Sequence, residues 1–189
     1  MSYDPPRPAG RLLLTPEDAE APARTLRLRR LGLGERAEPG LDAFADHLAE
    51  MTDAPYAMVN FIDVERQFFA GLHTPPGGLA ARGGKPELGR RLAREYGYCP
   101  YVVARRKALV LEDVRDYPRF AGNPVVEEYG IHSYLGAPLI DTAGMVLGTV
   151  SVADLTPRPW GRAGLATIKA TAADLAGRLE HREAGGPPR

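Results

Sequence analysis

The chain has 189 residues, one cysteine, and 24 Lys plus Arg against 24 Asp plus Glu. That length supports one domain with a real core, and the balanced charge leaves no global field to draw nucleic acid or an anionic membrane. A single thiol excludes an internal disulfide framework and an all-cysteine metal site.

No apolar run approaches the roughly 20 residues that span a bilayer. Met1-Ser2-Tyr3-Asp4-Pro5-Pro6 lacks the basic and apolar segments of a signal peptide, so a cytoplasmic location is expected. Residues 1–21 hold Pro5, Pro6, Pro8, Gly10 and Pro16, the composition of a flexible arm. A short helix is expected from Pro22 to Leu33, with Leu28 and Leu31 inward. Arg24, Arg27, Arg29 and Arg30 then form a solvated face; no aromatic interleaves them to stack bases. Gly32, Gly34, Pro39 and Gly40 break the chain.

Leu41, Phe44, Ala45, Leu48 and Thr52 stripe a second helix over 41–52, with His47 on its flank. Tyr56 to Asp63 and Gln67 to Leu72 read as strands joined by a turn at Asp63-Val64-Glu65-Arg66. Pro75, Pro76, Gly77, Gly78, Gly83, Gly84 and Pro86 make 73–87 a long flexible loop. Leu88, Leu92 and Tyr96 at i, i+4, i+8 predict a helix over 88–96, capped by Gly97 and placed to act as a lid. A helical turn or two over 102–107 and a strand over 108–112 follow, then a second long connection over 113–129.

Residues 131–154 organise the rest. Asp141-Thr142-Ala143-Gly144 separates two β-branched, apolar runs, which is a hairpin. In its second arm Val146, Gly148, Val150 and Val152 point one way, and Leu147, Thr149, Ser151 and Ala153 the other. The first set suits a face packed under a helix, the second the floor of a pocket. A final helix over 162–182 is striped by Leu165, Ile168, Ala172, Leu175 and Leu179, and residues 183–189 read as a disordered tail. The domain is therefore expected over 22–182, as an α+β fold with a largely antiparallel sheet.

This order, with Ala54-Pro55-Tyr56-Ala57-Met58-Val59-Asn60-Phe61-Ile62-Asp63, Tyr98-Cys99, Leu109-Val110-Leu111-Glu112-Asp113, Pro118-Arg119-Phe120-Ala121-Gly122-Asn123-Pro124, Tyr134-Leu135-Gly136-Ala137-Pro138-Leu139 and Leu147-Gly148-Thr149-Val150-Ser151-Val152-Ala153-Asp154, resembles a GAF domain. The resemblance spans about residue 25 to 181. It implies a central antiparallel sheet of about six strands with helices on both sides, a pocket over one face, and small-molecule sensing in bacterial signalling, with ligands that differ widely across one fold.

Cys99 reads as a redox thiol, a thioether anchor or a buried small hydrophobe. GAF-type free methionine-R-sulfoxide reductases use several cysteines, and a lone thiol closes no intramolecular disulfide. Bilin-binding members anchor at a Cys-His pair, whereas Pro100 follows Cys99 here. Cyclic-nucleotide members carry Asn-Lys and a later Phe-x-x-x-Asp-Glu; Pro124-Val125 stands where Asp-Glu would fall after Phe120. No iron–sulfur cysteine set, Gly-x-Ser-x-Gly elbow or Walker-type loop is present. His132 is a candidate iron or hydrogen-bonding ligand against a cap histidine, and His73 and His181 have no metal-ligand spacing.

The expectation is a non-enzymatic sensor or adaptor. A Cys99-dependent redox protein and a ligand-free dimerisation module are the alternatives. The candidate pocket comprises Tyr98, Cys99, Tyr101, Phe120, Asn123, Tyr129, His132, Tyr134, Thr149 and Ser151, aromatic walls with a few hydroxyl and amide groups. These aromatics either bind a planar, largely apolar ligand or simply fill the space. No residue pattern names a cofactor, and no metal site is expected. The expected partners are a small molecule, possible signalling proteins and a second copy paired through the terminal helices.

Overall fold

The computed structural model describes residues 15–184. Six strands form one sheet in the order β3-β2-β1-β6-β5-β4, with β1 Tyr56–Ile62, β2 Arg66–His73, β3 Arg91–Ala93, β4 Leu109–Leu111, β5 Ser133–Ile140 and β6 Val146–Asp154. Every neighbouring pair is antiparallel. Helices α1 Ala21–Leu31, α2 Pro39–Thr52 and α7 Gly161–Ala184 cover one face. Short helices cover the other: α3 Gly78–Ala81, α4 Cys99–Arg105, α5 Pro118–Ala121 and α6 Pro124–Tyr129, with a 3-10 turn at Val114–Asp116. The α+β architecture with about six strands is as the resemblance implied.

Leu41, Ala45 and Leu48 of α2 and Ile168, Ala172, Leu175 and Leu179 of α7 are buried against Ala57, Val59, Leu135 and Val150. The apolar stripe of α7 from Ile168 to Leu179 is thus spent within its own chain, while Leu165 stays half-buried. Arg24 corrects the expected solvated face of α1: it is 0% exposed. Its guanidinium makes paired bonds to Asp18 at 2.7 and 2.8 Å and donates through Nε to the carbonyl of Val146. Asp18 also binds Arg94, so residues 15–20 are anchored to the sheet edge. The arm expected over 1–21 otherwise lies outside the described residues, as does the tail beyond 184.

Three local readings change. The helix expected over 88–96 is the edge strand β3, paired with β2 from Arg66↔Ala93 to Phe68↔Arg91. The β2 ladder takes the Arg91–Ala93 backbone as strand, and Gln67 Nε2 donates to the carbonyls of Ala93 and Tyr96, fixing the segment that follows. Both long connections contain short helices rather than open loop. In β6 a bulge opposite Leu139 shifts the register, so that Ile140 pairs with Val146. Leu147 therefore joins Val150 and Val152 under the helices, and Val146 turns to the other face, the reverse of a strict period of two.

Candidate functional site

The pocket-side face is floored by residues of the four central strands. Tyr56, Met58 and Ile62 of β1, Phe69 of β2, Tyr134 of β5 and Ala153 of β6 belong to one buried cluster. Asn60 stands directly across from Thr149, and Met58 across from Ser151. Gly136 is required here: a Cβ at that position would strike the Tyr134 ring, which folds back over it.

The floor carries a polar line. Gln67 Nε2 is committed to backbone carbonyls, so Gln67 Oε1 must accept, and Asn60 Nδ2 donates to it at 2.9 Å. That fixes the Asn60 amide with Oδ1 left over. Asn60 Oδ1, Thr149 Oγ1 and the Tyr56 hydroxyl are all buried without a hydrogen-bond partner. Each such group costs about 1–3 kcal/mol. Cys99 Sγ lies 3.3 Å from the Tyr134 hydroxyl and 3.9 Å from Ser151 Oγ, and the thiol is buried. Burial raises the Tyr134 phenol well above its ordinary value, with Cys99 adding to it and the Ser151 hydroxyl working the other way. Burial likewise raises Tyr98, and it raises Tyr56 against the opposing charge of Arg82.

Above the floor the aromatic side chains meet. Tyr98 packs edge-on against Phe120 at 5.7 Å and tilted against Tyr134 at 5.3 Å, while Tyr101 packs edge-on against Phe120 at 5.0 Å. The Tyr98 hydroxyl donates to the carbonyl of Phe120. Beside this stack lies a cavity of about 40 Å³ whose walls include Met58, Gln67, Leu92, Tyr98, Cys99 and Tyr134. It holds a water or a small substituent, not a planar ligand of drug size.

Of the expected residues, Tyr98, Cys99, Tyr129 and Tyr134 line this cavity. Thr149 and Ser151 lie on the floor nearby, and Tyr101 and Phe120 form the stack rather than the wall. Asn123 is committed elsewhere: it accepts from the Gly97 and Val125 amides and donates to the Gly97 carbonyl, stapling two roof segments together. His132 is half-buried just before β5, its backbone bonded to Asp154 and Val114. It does not line the cavity. Sequence reading missed Asn60 and Gln67; a polar residue inside the apolar run Tyr56–Ile62 was the available signal. The expected lid is also absent. Arg90 makes paired bonds to Asp42, and Arg94 binds Asp18 and the Asp63 carbonyl, so β3 is clamped.

Among the described residues no cluster of three or more potential metal ligands occurs, and no helix is long and apolar enough to cross a membrane. A family model described as GAF domain matches residues 37–179. A cyclic di-GMP phosphodiesterase of Pseudomonas aeruginosa is 30% identical over 150 residues, 76% of this chain but only 22% of that protein. The GAF domain from a phosphoenolpyruvate-protein phosphotransferase of Coxiella burnetii shares the fold with a TM-score of 0.59 at 21% identity, covering 86% of this chain and 94% of that one. A free methionine-R-sulfoxide reductase from Neisseria meningitidis has a TM-score of 0.59 at 17% identity, covering 77% of this chain and 79% of that one. At these identities the two structures establish shared architecture and nothing of activity. With the family model matched across its sheet and flanking helices, the chain belongs to the GAF domain family, the sensor and adaptor modules of signalling proteins.

Proposed function

We propose that this domain is a non-enzymatic sensor of a small, neutral molecule that binds over the β1–β6 floor. The observation that carries this reading is the set of three unpartnered buried atoms, Asn60 Oδ1, Thr149 Oγ1 and the Tyr56 hydroxyl, on one face of the sheet. A ligand offering a donor to Asn60 and one polar group to Thr149 would relieve costs that the protein alone carries. No charged side chain lines the adjacent cavity, which argues for a neutral ligand. Binding requires Tyr98 and Phe120 to move off Tyr134 of β5, and those two side chains sit on short roof elements rather than on the long helices. Cys99 is the chain's single cysteine and is buried, so it has neither a resolving thiol nor ready access to one.

Native mass spectrometry of the protein purified from its own host tests this. A small molecule released on denaturation, and lost when Tyr98→Trp fills the cavity, is the expected result. A bare protein mass, with no thermal shift from a panel of neutral heteroaromatic amides, would overturn it. The aromatic packing favours a second reading, a structural module whose rings fill the space, and that negative outcome would establish it. Pairing of two copies through the terminal helices would draw on Leu26, 56% exposed on α1.

A further inference from the structure

The edge strand β4 is short. It pairs with β5 only from Leu109↔Gly136 to Leu111↔Tyr134, which leaves 137–140 of β5 without a neighbour on that side. Over this uncovered stretch lies an open groove of about 540 Å³ between β5 and the first half of α7. Ala108, Ala137, Pro138, Ile140, Leu165 and Ala173 give it an apolar lining, with Ile140 38% exposed. Its charged residues are Arg106, Lys107 and Lys169, all cations. Arg106 is held by Glu20 and the Gly144 carbonyl. Lys107 and Lys169 are exposed, and their ammonium groups have no hydrogen-bond or ion-pair partner among the described residues.

We infer that this groove docks an acidic, extended segment of a partner protein, which adds to the uncovered edge of β5. The site is separate from the sensing floor and goes beyond the reading above. The charge decides the occupant. Residues 1–14 carry Arg7 and Arg11 against Asp4, and residues 185–189 hold no acidic side chain, so neither segment supplies a run of carboxylates to the groove. A second copy placed groove to groove about a two-fold axis would set cations against cations. An extended segment alternating acidic and apolar side chains meets both features of the groove: its carboxylates reach Lys107 and Lys169, and its apolar residues cover Ile140 and Leu165. Backbone hydrogen bonds to the strand edge then supply the register.

The competing account is that Lys107, Pro138 and Lys169 merely guard an open sheet edge against aggregation. Fluorescence anisotropy with labelled, blocked peptides of about six residues, Glu-Val repeats against Lys-Val repeats, separates the two accounts. Docking predicts binding of the Glu-Val probe alone, weakened on raising salt from about 0.05 to about 0.5 M. The double variant Lys107→Glu, Lys169→Glu should weaken it by about tenfold or more and admit the Lys-Val probe instead. Amide hydrogen exchange should slow within Ala137, Leu139 and Ile140 on binding, Pro138 having no amide hydrogen. Because both lysines are exposed, an unchanged melting temperature confirms that the variant folds. Equal binding of both probes, no binding, or binding without protection of the β5 edge would overturn the proposal; self-association of the double variant would establish the edge-guard account in its place.

Discussion

One face of the sheet lies under helices of 11, 14 and 24 residues, and the other under helical elements of three to seven residues. On the first face Leu48, Val59, Leu135, Leu139, Val150, Val152 and Ile168 are all completely buried. Each such side chain contributes about 1.5–3 kcal/mol relative to exposure. On the second face polar atoms sit among the apolar ones, and three of them lack partners. Long helices bury a continuous stripe and cooperate. The short roof elements bury single residues such as Val102, Val114, Phe120 and Val125 rather than a continuous stripe, and are tied by Asn123 on Gly97 and by Gln67 on the segment after β3. Stability concentrates on the first face, and capacity for rearrangement on the second.

The strongest way to break this division is Asp18→Ala, because Asp18 ties α1 of the first face to the roof edge through Arg24 and Arg94. It strands a fully buried guanidinium, and a loss of about 3–5 kcal/mol in chemical denaturation is expected. Burial by itself would raise the Asp18 carboxyl, but hydrogen bonds and charge from Arg24 and Arg94 outweigh it and hold the group below 3.8. A depressed folded-state value means stability that is present above the ordinary carboxylate range and lost as pH falls through the lowered value. Asp18→Asn should therefore show a shallower acid dependence below about pH 4 than wild type. Identical slopes would dismiss the coupling.

Next in size is Val150→Thr, which places a hydroxyl on the helix-covered face with no partner to receive it. A loss of about 1–3 kcal/mol is expected, read as a lower denaturation midpoint at unchanged m-value.

Alkaline titration probes the second face, where Tyr56, Tyr98, Tyr101 and Tyr134 are buried together. Burial raises Tyr98 and Tyr134, so their contribution is fully present below the ordinary phenol value of 10.0 and is lost as pH rises toward the higher folded-state values. Wild type should lose stability above about pH 10, and Tyr134→Phe should lose less of it. Phenolate absorbance assigned to Tyr98 or Tyr134, as the difference between wild type and the matching Phe variant, that rises before unfolding would contradict this.

The smallest expected effect has the opposite sign. Thr149→Val, one residue from Val150 but on the pocket side, removes an unpartnered hydroxyl at nearly constant volume. It should be neutral or stabilising by up to about 1 kcal/mol. A loss as large as that of Val150→Thr would erase the distinction between the faces.

Periodicity alone determined the long elements. The stripes of α2 and α7 are legible because each buries one face against a continuous partner, so the pattern repeats over several turns. The hairpin arms are legible as apolar runs about a turn, although β6 is buried throughout and its bulge breaks the alternation. The β-hairpin order likewise dictated an antiparallel sheet. Tertiary structure decided the rest, where a residue's neighbour is remote in the chain. Leu88, Leu92 and Tyr96 have helical spacing, yet the side chain of Gln67 and the edge of β2 claim that backbone as strand. Arg24 reads as a solvated cation until Asp18 and the Val146 carbonyl enclose it. Asn123 reads as a ligand group until Gly97, 26 residues away, takes its amide. The aromatic residues expected to wall a pocket were identified by type, but only their packing fixed that Phe120 fills space while Tyr98 and Tyr134 border a cavity. Local sequence carries propensity and period; polar satisfaction is a property of the folded whole.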